Sequence, residues 1–110
     1  MADVESNGDA AQLAVTGTVG SDGLALLAVC GEVDISNVGQ LSEAVDAALQ
    51  EGASAIAFDL GQLAFIDSAG LAMLAAAARR VDSLTLKDPS PIVARVIELS
   101  GLSPVLPIQP

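Results

Sequence analysis

Residues 65–73 read FIDSAGLAM, an Asp-Ser pair set between an apolar, strand-like run and an apolar, helix-like one. Downstream, Leu71, Leu74, Ala75 and Ala78 recur at helical spacing among strong helix formers, and the run ends in Arg79-Arg80, cations that suit a helix C-terminus. This spacing predicts a helix over Leu71 to Arg80 that begins near Ser68. Upstream, SAIAFDL (54–60) alternates Ile56, Phe58 and Leu60 with small residues, between glycines at 52 and 61. It predicts a short strand buried on both faces.

Working outward, LAVTGTV alternates from Leu13 to Val19, GSDG at 20–23 is a turn cluster, and LALLAVC follows, which together predict a β-hairpin. From Asn37 the period changes: Val38, Leu41, Val45, Ala48 and Leu49 mark one face of an amphipathic helix. Asn37 with Gln40 resembles a capping box, and Gly52 stands where a C′ glycine would. SLTLK (83–87) predicts a strand. SPIVARVIELSG then places Ser90 at an N-cap, Pro91 at the first helical position and Gly101 at the stop, and VLPI (105–108) predicts a terminal or edge strand. The expected order is β-β-α-β-α-β-α-β: an α/β domain with a mixed, mostly parallel sheet of four to five strands and three helices. Residues 1–10 lack apolar periodicity and are expected to be a flexible acidic tail, leaving 11–110 as one domain without internal repeats.

Composition narrows the functions. Four basic against fourteen acidic residues give a net charge of -10, which repels phosphate backbones and anionic headgroups. Neither direct nucleic-acid binding nor membrane insertion is expected. With no histidine, Ser-His-Asp triads and His metal sites are excluded, and no glycine-rich nucleotide loop is present. Catalysis, cofactors and metals are therefore not expected. The single Cys30 lies in an apolar run and reads as a small buried hydrophobe. The acidic N-terminus has no basic-then-apolar leader pattern, so the cytoplasm is the expected compartment.

The Asp-Ser pair has two readings. A helix entered from a buried segment needs oxygens for its first N–H groups, and Asp67 or Ser68 would each serve as N-cap. One oxygen suffices, however, and Gly70 in the first turn costs about 1 kcal/mol relative to Ala. Gly70 is therefore read as admitting close approach by another chain. In the second reading Ser68 is a regulated hydroxyl at an exposed helix start, where a phosphate is tolerated because helix N-termini favour negative charge. GEVD (31–34) poses a similar question: Glu32 and Asp34 share a strand face as either a weak metal pair or a polar strand end. If the strands are adjacent and parallel, GEVD and FIDSAG lie together at strand carboxyl ends, where open α/β sheets place binding sites.

GEVDISNVGQLSEAV, IAFDLGQLAFIDSAGLAMLAAAARR and LTLKDPSPIVARVIELSGL, in this order, resemble the STAS domain in its bacterial anti-sigma factor antagonist form, over about residues 11–108. The resemblance implies a partner switch. The unphosphorylated antagonist binds an anti-sigma factor that is also a serine kinase and frees a sigma factor; phosphorylation at Ser68 releases it, and a serine phosphatase resets it. Carried over by position, the docking surface comprises Asp34, Asp67, Ser68, Ala69, Gly70 and Leu71. Ala69 stands where the family often has Ser, which leaves one candidate hydroxyl. ARRVDSLTL is short for the family, so the second helix is expected to end early or the strand to shift. A similar DSAGLA motif also occurs in the STAS accessory subunit of ABC-type lipid transporters, where the helix start would dock on an ATPase.

Overall fold

A computed structural model describes residues 12–109. The tail expected over residues 1–10 lies outside the described residues. Strand β1 (Leu13–Val19) pairs antiparallel with β2 (Leu24–Val33), the hairpin expected from their alternation. The chain continues through α1 (Val38–Gln50), β3 (Ala55–Asp59), β4 (Leu63–Ile66), α2 (Ser68–Ala78), β5 (Ser83–Lys87), α3 (Pro91–Ser100) and β6 (Ile108–Gln109). All pairings after the hairpin are parallel. The α/β class, the mixed and mostly parallel sheet and the three helices match the sequence reading.

The strand count does not. The sheet has six strands in the order β1-β2-β3-β5-β6, with β4 also paired to β2. The additional strand is LAFI (63–66): a four-residue apolar run carries no decisive periodicity, and only its partner makes it a strand. The ten-residue β2 is long enough for two: Leu24–Ala28 pairs with β3 and Gly31–Val33 with β4. At the last strand the expected span 105–108 is corrected to Ile108–Gln109. Val105 and Leu106 close turns onto the carbonyls of Leu102 and Ser103 instead, and Pro107, which has no N–H, only accepts from the Leu86 N–H.

Local signals set the helix ends where they are self-contained. Gly52 has φ +97, its N–H donates to the Leu49 carbonyl, and the Ala53 N–H reaches the Ala48 carbonyl, the paired bonds of a Schellman close. Ser90 caps α3 by accepting from the Val93 N–H, Pro91 stands at its first turn, and Gly101 ends it at φ +80. Helix α2 spans Ser68–Ala78, so it ends before Arg79-Arg80. The N–H groups of these two arginines bond three residues back, to Ala76 and Ala77, tightening the chain out of the helix. Arg80 pairs with Asp46 of α1 at 2.8 Å, both about half exposed, a contact that contributes little.

One core joins sheet and helices. Leu27, Val29, Val33, Ile56, Phe58, Leu63, Ile66 and Leu86 supply the sheet side, and Leu41, Val45, Leu71, Leu74, Val93 and Ile97 the helical side. Thr16, Thr18, Leu26, Asp59 and Lys87, on the alternate strand positions, are exposed, so that sheet face is open. The expectation that SAIAFDL is buried on both faces is met only at its centre: Ile56 and Phe58 face the core and Ala57 is also buried, but on that second face Ala55 is half-buried and Asp59 exposed.

Candidate functional site

Strands β2 and β4 are adjacent and parallel, with Val33 opposite Ile66. The GEVD and FIDSAG segments therefore do end side by side, and the pairing is completed by the Asp67 N–H donating to the Val33 carbonyl at 3.1 Å. What makes this possible is a register shift between Gly31 and Glu32. Gly31 has φ +104, and a Cβ on it would stand 2.2 Å from the carbonyl oxygen of Gln12. Only glycine fits this point, where β2 changes partner from β3 to β4.

Asp67, not Ser68, is the N-cap of α2. Its backbone is extended (φ -101, ψ -174), its carboxylate accepts from the Gly70 N–H at 3.1 Å, and its carbonyl accepts from the Leu71 N–H. Ser68 is thereby the first helical residue, exposed, and no hydrogen bond among the described residues engages its hydroxyl. Ala69 is half-buried, while Gly70 and Leu71 are buried. A Cβ on Gly70 would lie 2.6 Å from Ile66 and 2.8 Å from Val33, so the close approach that this glycine admits is by its own chain. Along α2 a groove of about 600 Å³ opens from Ser68 past Leu71, Ala72, Ala75 and Ala76 to Arg79, with Ser100 and Leu102 on its other side.

The β2–α1 loop forms the neighbouring wall. The Asp34 carboxylate accepts from both the hydroxyl and the N–H of Ser36, while its own N–H donates to the Asn37 side chain at 2.9 Å. The Asn37 amide also donates to the Glu32 carbonyl at 2.9 Å. The capping box expected at Asn37 is thus not formed: its side chain makes no cap bond to α1 and is turned back, buried, to clamp the loop. Sequence reasoning could not separate these uses, because the same amide offers both. Replacing Asn37 with alanine should cost about 1–3 kcal/mol by leaving the Asp34 N–H and Glu32 carbonyl short of partners. Urea unfolding checks this; an unchanged midpoint would mean that the clamp contributes nothing.

Glu32 and Asp34 do not converge as a pair. Glu32 stays exposed on β2, Asp34 is turned onto Ser36, and among the described residues no three metal-ligating side chains of the His, Cys, Asp and Glu types gather. The Ser36 hydroxyl, and after it the Ser36 N–H, hold the Asp34 carboxyl below its ordinary value of 3.8, against a smaller opposing push from partial desolvation. A lowered folded value means that this loop's contribution is complete above about pH 4 and is lost as pH falls through the folded value. In an NMR titration the Asp34 side chain should reach its midpoint below 3.8. A midpoint at or above that value would mean that the Ser36 turn does not persist in solution.

Sequence reasoning missed Ile35, which stands between Asp34 and Ser36 and is 77% exposed. The tight Asp34–Ser36 turn that lifts it outward was its only signal. No helix among the described residues is long and apolar enough to cross a membrane.

Comparison with known proteins gives a consistent result. A family model described as Mlab, STAS domain, matches residues 21–107. BtrV of Bordetella bronchiseptica, a candidate anti-sigma factor antagonist, is 31% identical over 91 residues, covering 79% of this chain and 78% of its own length. The crystal structure of an anti-sigma factor antagonist from Mycobacterium paratuberculosis superposes with a TM-score of 0.77 at 28% identity, covering 96% of this chain and 90% of that one. The anti-sigma factor antagonist SpoIIAA in its unphosphorylated form has the same fold, with a TM-score of 0.74 at 24% identity over 88% of this chain and 89% of that one.

Proposed function

The chain belongs to the STAS domain family, and from that premise we propose that it is an anti-sigma factor antagonist whose switch is Ser68. Unphosphorylated, it binds an anti-sigma factor with serine kinase activity and so releases a sigma factor; phosphorylation of Ser68 ends the complex, and a serine phosphatase restores it. The names of BtrV and of the Mycobacterium paratuberculosis protein support the antagonist role. The observation that carries the switch is the division of labour at α2: Asp67 makes the cap bond, so the exposed Ser68 hydroxyl is left unused by the fold.

In this reading Asp34, Asp67, Ser68 and Ala69 present the docking surface, with Gly70 and Leu71 shaping it from beneath. A phosphate on Ser68 adds roughly 1.5 to 2 negative charges beside Asp67 and Asp34. A partner fitted to a neutral hydroxyl would have to desolvate that charge, so release follows without unfolding the antagonist. The protein itself supplies binding rather than catalysis, and works in the cytoplasm beside transcription.

The test is to recover partners from the native cell with tagged protein, purify the anti-sigma factor retained, and incubate it with the antagonist and ATP. Phosphate mapped to Ser68, with dissociation of the complex, is the expected result. Recovery of a transporter ATPase in place of an anti-sigma factor would overturn the reading in favour of a transporter accessory subunit.

A further inference from the structure

Among the described residues Ile35 is the most exposed of the large hydrophobic side chains, at 77%, and is not part of the core. A single exposed aliphatic is ordinary on a protein surface; its setting here is not. The loop that carries it is pinned on both sides: Ser36 bonds twice to the Asp34 carboxylate, the Asn37 amide bridges Asp34 and Glu32, and the N–H groups of Asn37 and Val38 return to the Asp34 carbonyl. So held, the loop presents the isoleucine to solvent. Its β-branched side chain also has little rotamer freedom to lose on binding.

Its position ties it to the switch. Val33 and Ile66 are paired, and Ile35 and Ser68 each lie two residues beyond that pair, on segments leaving adjacent parallel strands. Acidic groups flank it: Asp34 next in sequence, exposed Glu32 on β2, and Asp67 across the strand pair. None of the four basic residues, Arg79, Arg80, Lys87 and Arg95, falls in either segment. Leu99 and Ile92 are nearly as exposed, but they ride on α3, whereas Ile35 shares its junction with Ser68.

We propose that Ile35 is the apolar anchor of the complex, seated in an aliphatic pocket of the anti-sigma factor that is rimmed by lysine or arginine side chains meeting Asp34, Glu32 and Asp67. This rests on the antagonist reading above. An anchor of this kind, central and desolvated, carries much of the affinity, while the acidic rim governs association rate and salt dependence. It also places the phosphorylated Ser68 at the edge of the same contact, where its charge is felt.

The experiment is calorimetric titration of the purified anti-sigma factor, recovered with wild-type protein, into wild type, Ile35→Ala, Ile35→Val, Leu26→Ser and Ser68→Glu. Leu26 is a half-exposed leucine on the open sheet face and controls for general loss of surface hydrophobicity. Ile35→Ala should weaken binding by about tenfold or more, with no loss of thermal stability. Ile35→Val should stay close to wild type, Leu26→Ser should equal it, and raising salt should weaken binding. If Ile35→Ala binds as wild type while Ser68→Glu does not, the anchor is overturned and the antagonist reading stands. If Leu26→Ser weakens binding as much as Ile35→Ala, the anchor is again overturned, since the effect is not local. If wild type binds no anti-sigma factor, both fall together.

Discussion

Replacing Ser68 with glutamate should leave the fold intact and weaken the complex with the anti-sigma factor by about 100-fold or more, close to 3 kcal/mol. Two observations set these expectations. Ser68 is exposed at the first helical position and its hydroxyl is unengaged, so the fold loses no contact with it. A carboxylate there also meets the positive end of α2, worth roughly 0.3–1 kcal/mol, which offsets repulsion from Asp67. In the complex the balance reverses, because a charge shut into an interface without a partner costs several kcal/mol. Ser68→Ala should fold and bind as wild type, yet be blind to the kinase. Thermal unfolding and titration calorimetry on the two variants separate the possibilities. Loss of folding in either would make Ser68 structural, and tight binding by the glutamate variant would remove the proposed switch.

Gly31→Ala should have the largest effect on stability, a loss of about 3 kcal/mol or more. Alanine at φ +104 is strained by about 1–3 kcal/mol before any contact is considered. Its Cβ would then meet a backbone oxygen, Gln12, at 2.2 Å, which cannot rotate aside as a side chain can. The hairpin and the β2–β4 pairing meet here: the Gly31 N–H donates to the Gln62 carbonyl and the Glu32 N–H to that of Gln12. The variant should therefore also lose partner affinity, since this shift aligns Val33 with Ile66 and brings the two loops together. Gly39→Ala is its counterpart. Gly39 lies in α1 with nothing within 4 Å of a Cβ and no positive φ, so alanine should raise stability by up to about 1 kcal/mol. Urea denaturation of both variants should show opposite signs; equal effects would mean that Gly31 is not the constrained point.

The elements that could be read from the chain are those whose determinants are local. Helix α1 announced its buried face through Leu41, Val45 and Ala48 and its end through Gly52, and α3 announced both ends through Ser90-Pro91 and Gly101. The motif around Ser68 was legible for the same reason: a polar pair and a glycine between apolar runs stand out in one dimension. The family followed from three such segments in order. Strand β4 was not legible, because LAFI becomes a strand only through a partner some thirty residues earlier. The use of Asn37 was not legible either, since its amide satisfies a cap or a loop equally well until the Glu32 carbonyl is placed beside it.

By itself, then, the sequence determined the α/β class, the helices and a single candidate hydroxyl at a helix start, all consequences of residue type and short-range spacing. Only the tertiary structure decided that Asp67 rather than Ser68 makes the cap, that Gly70 admits its own chain, and that the Asp34 loop stands beside α2. The reason is one physical event. The pairing of β2 with β4 carries the Asp67 N–H to the Val33 carbonyl, which ends the strand at Asp67, turns its carboxylate onto the first turn of α2 and leaves the next side chain, Ser68, facing solvent. Hydrogen bonding between segments distant in sequence fixes which of two equally suitable oxygens is used by the fold and which remains available to a partner.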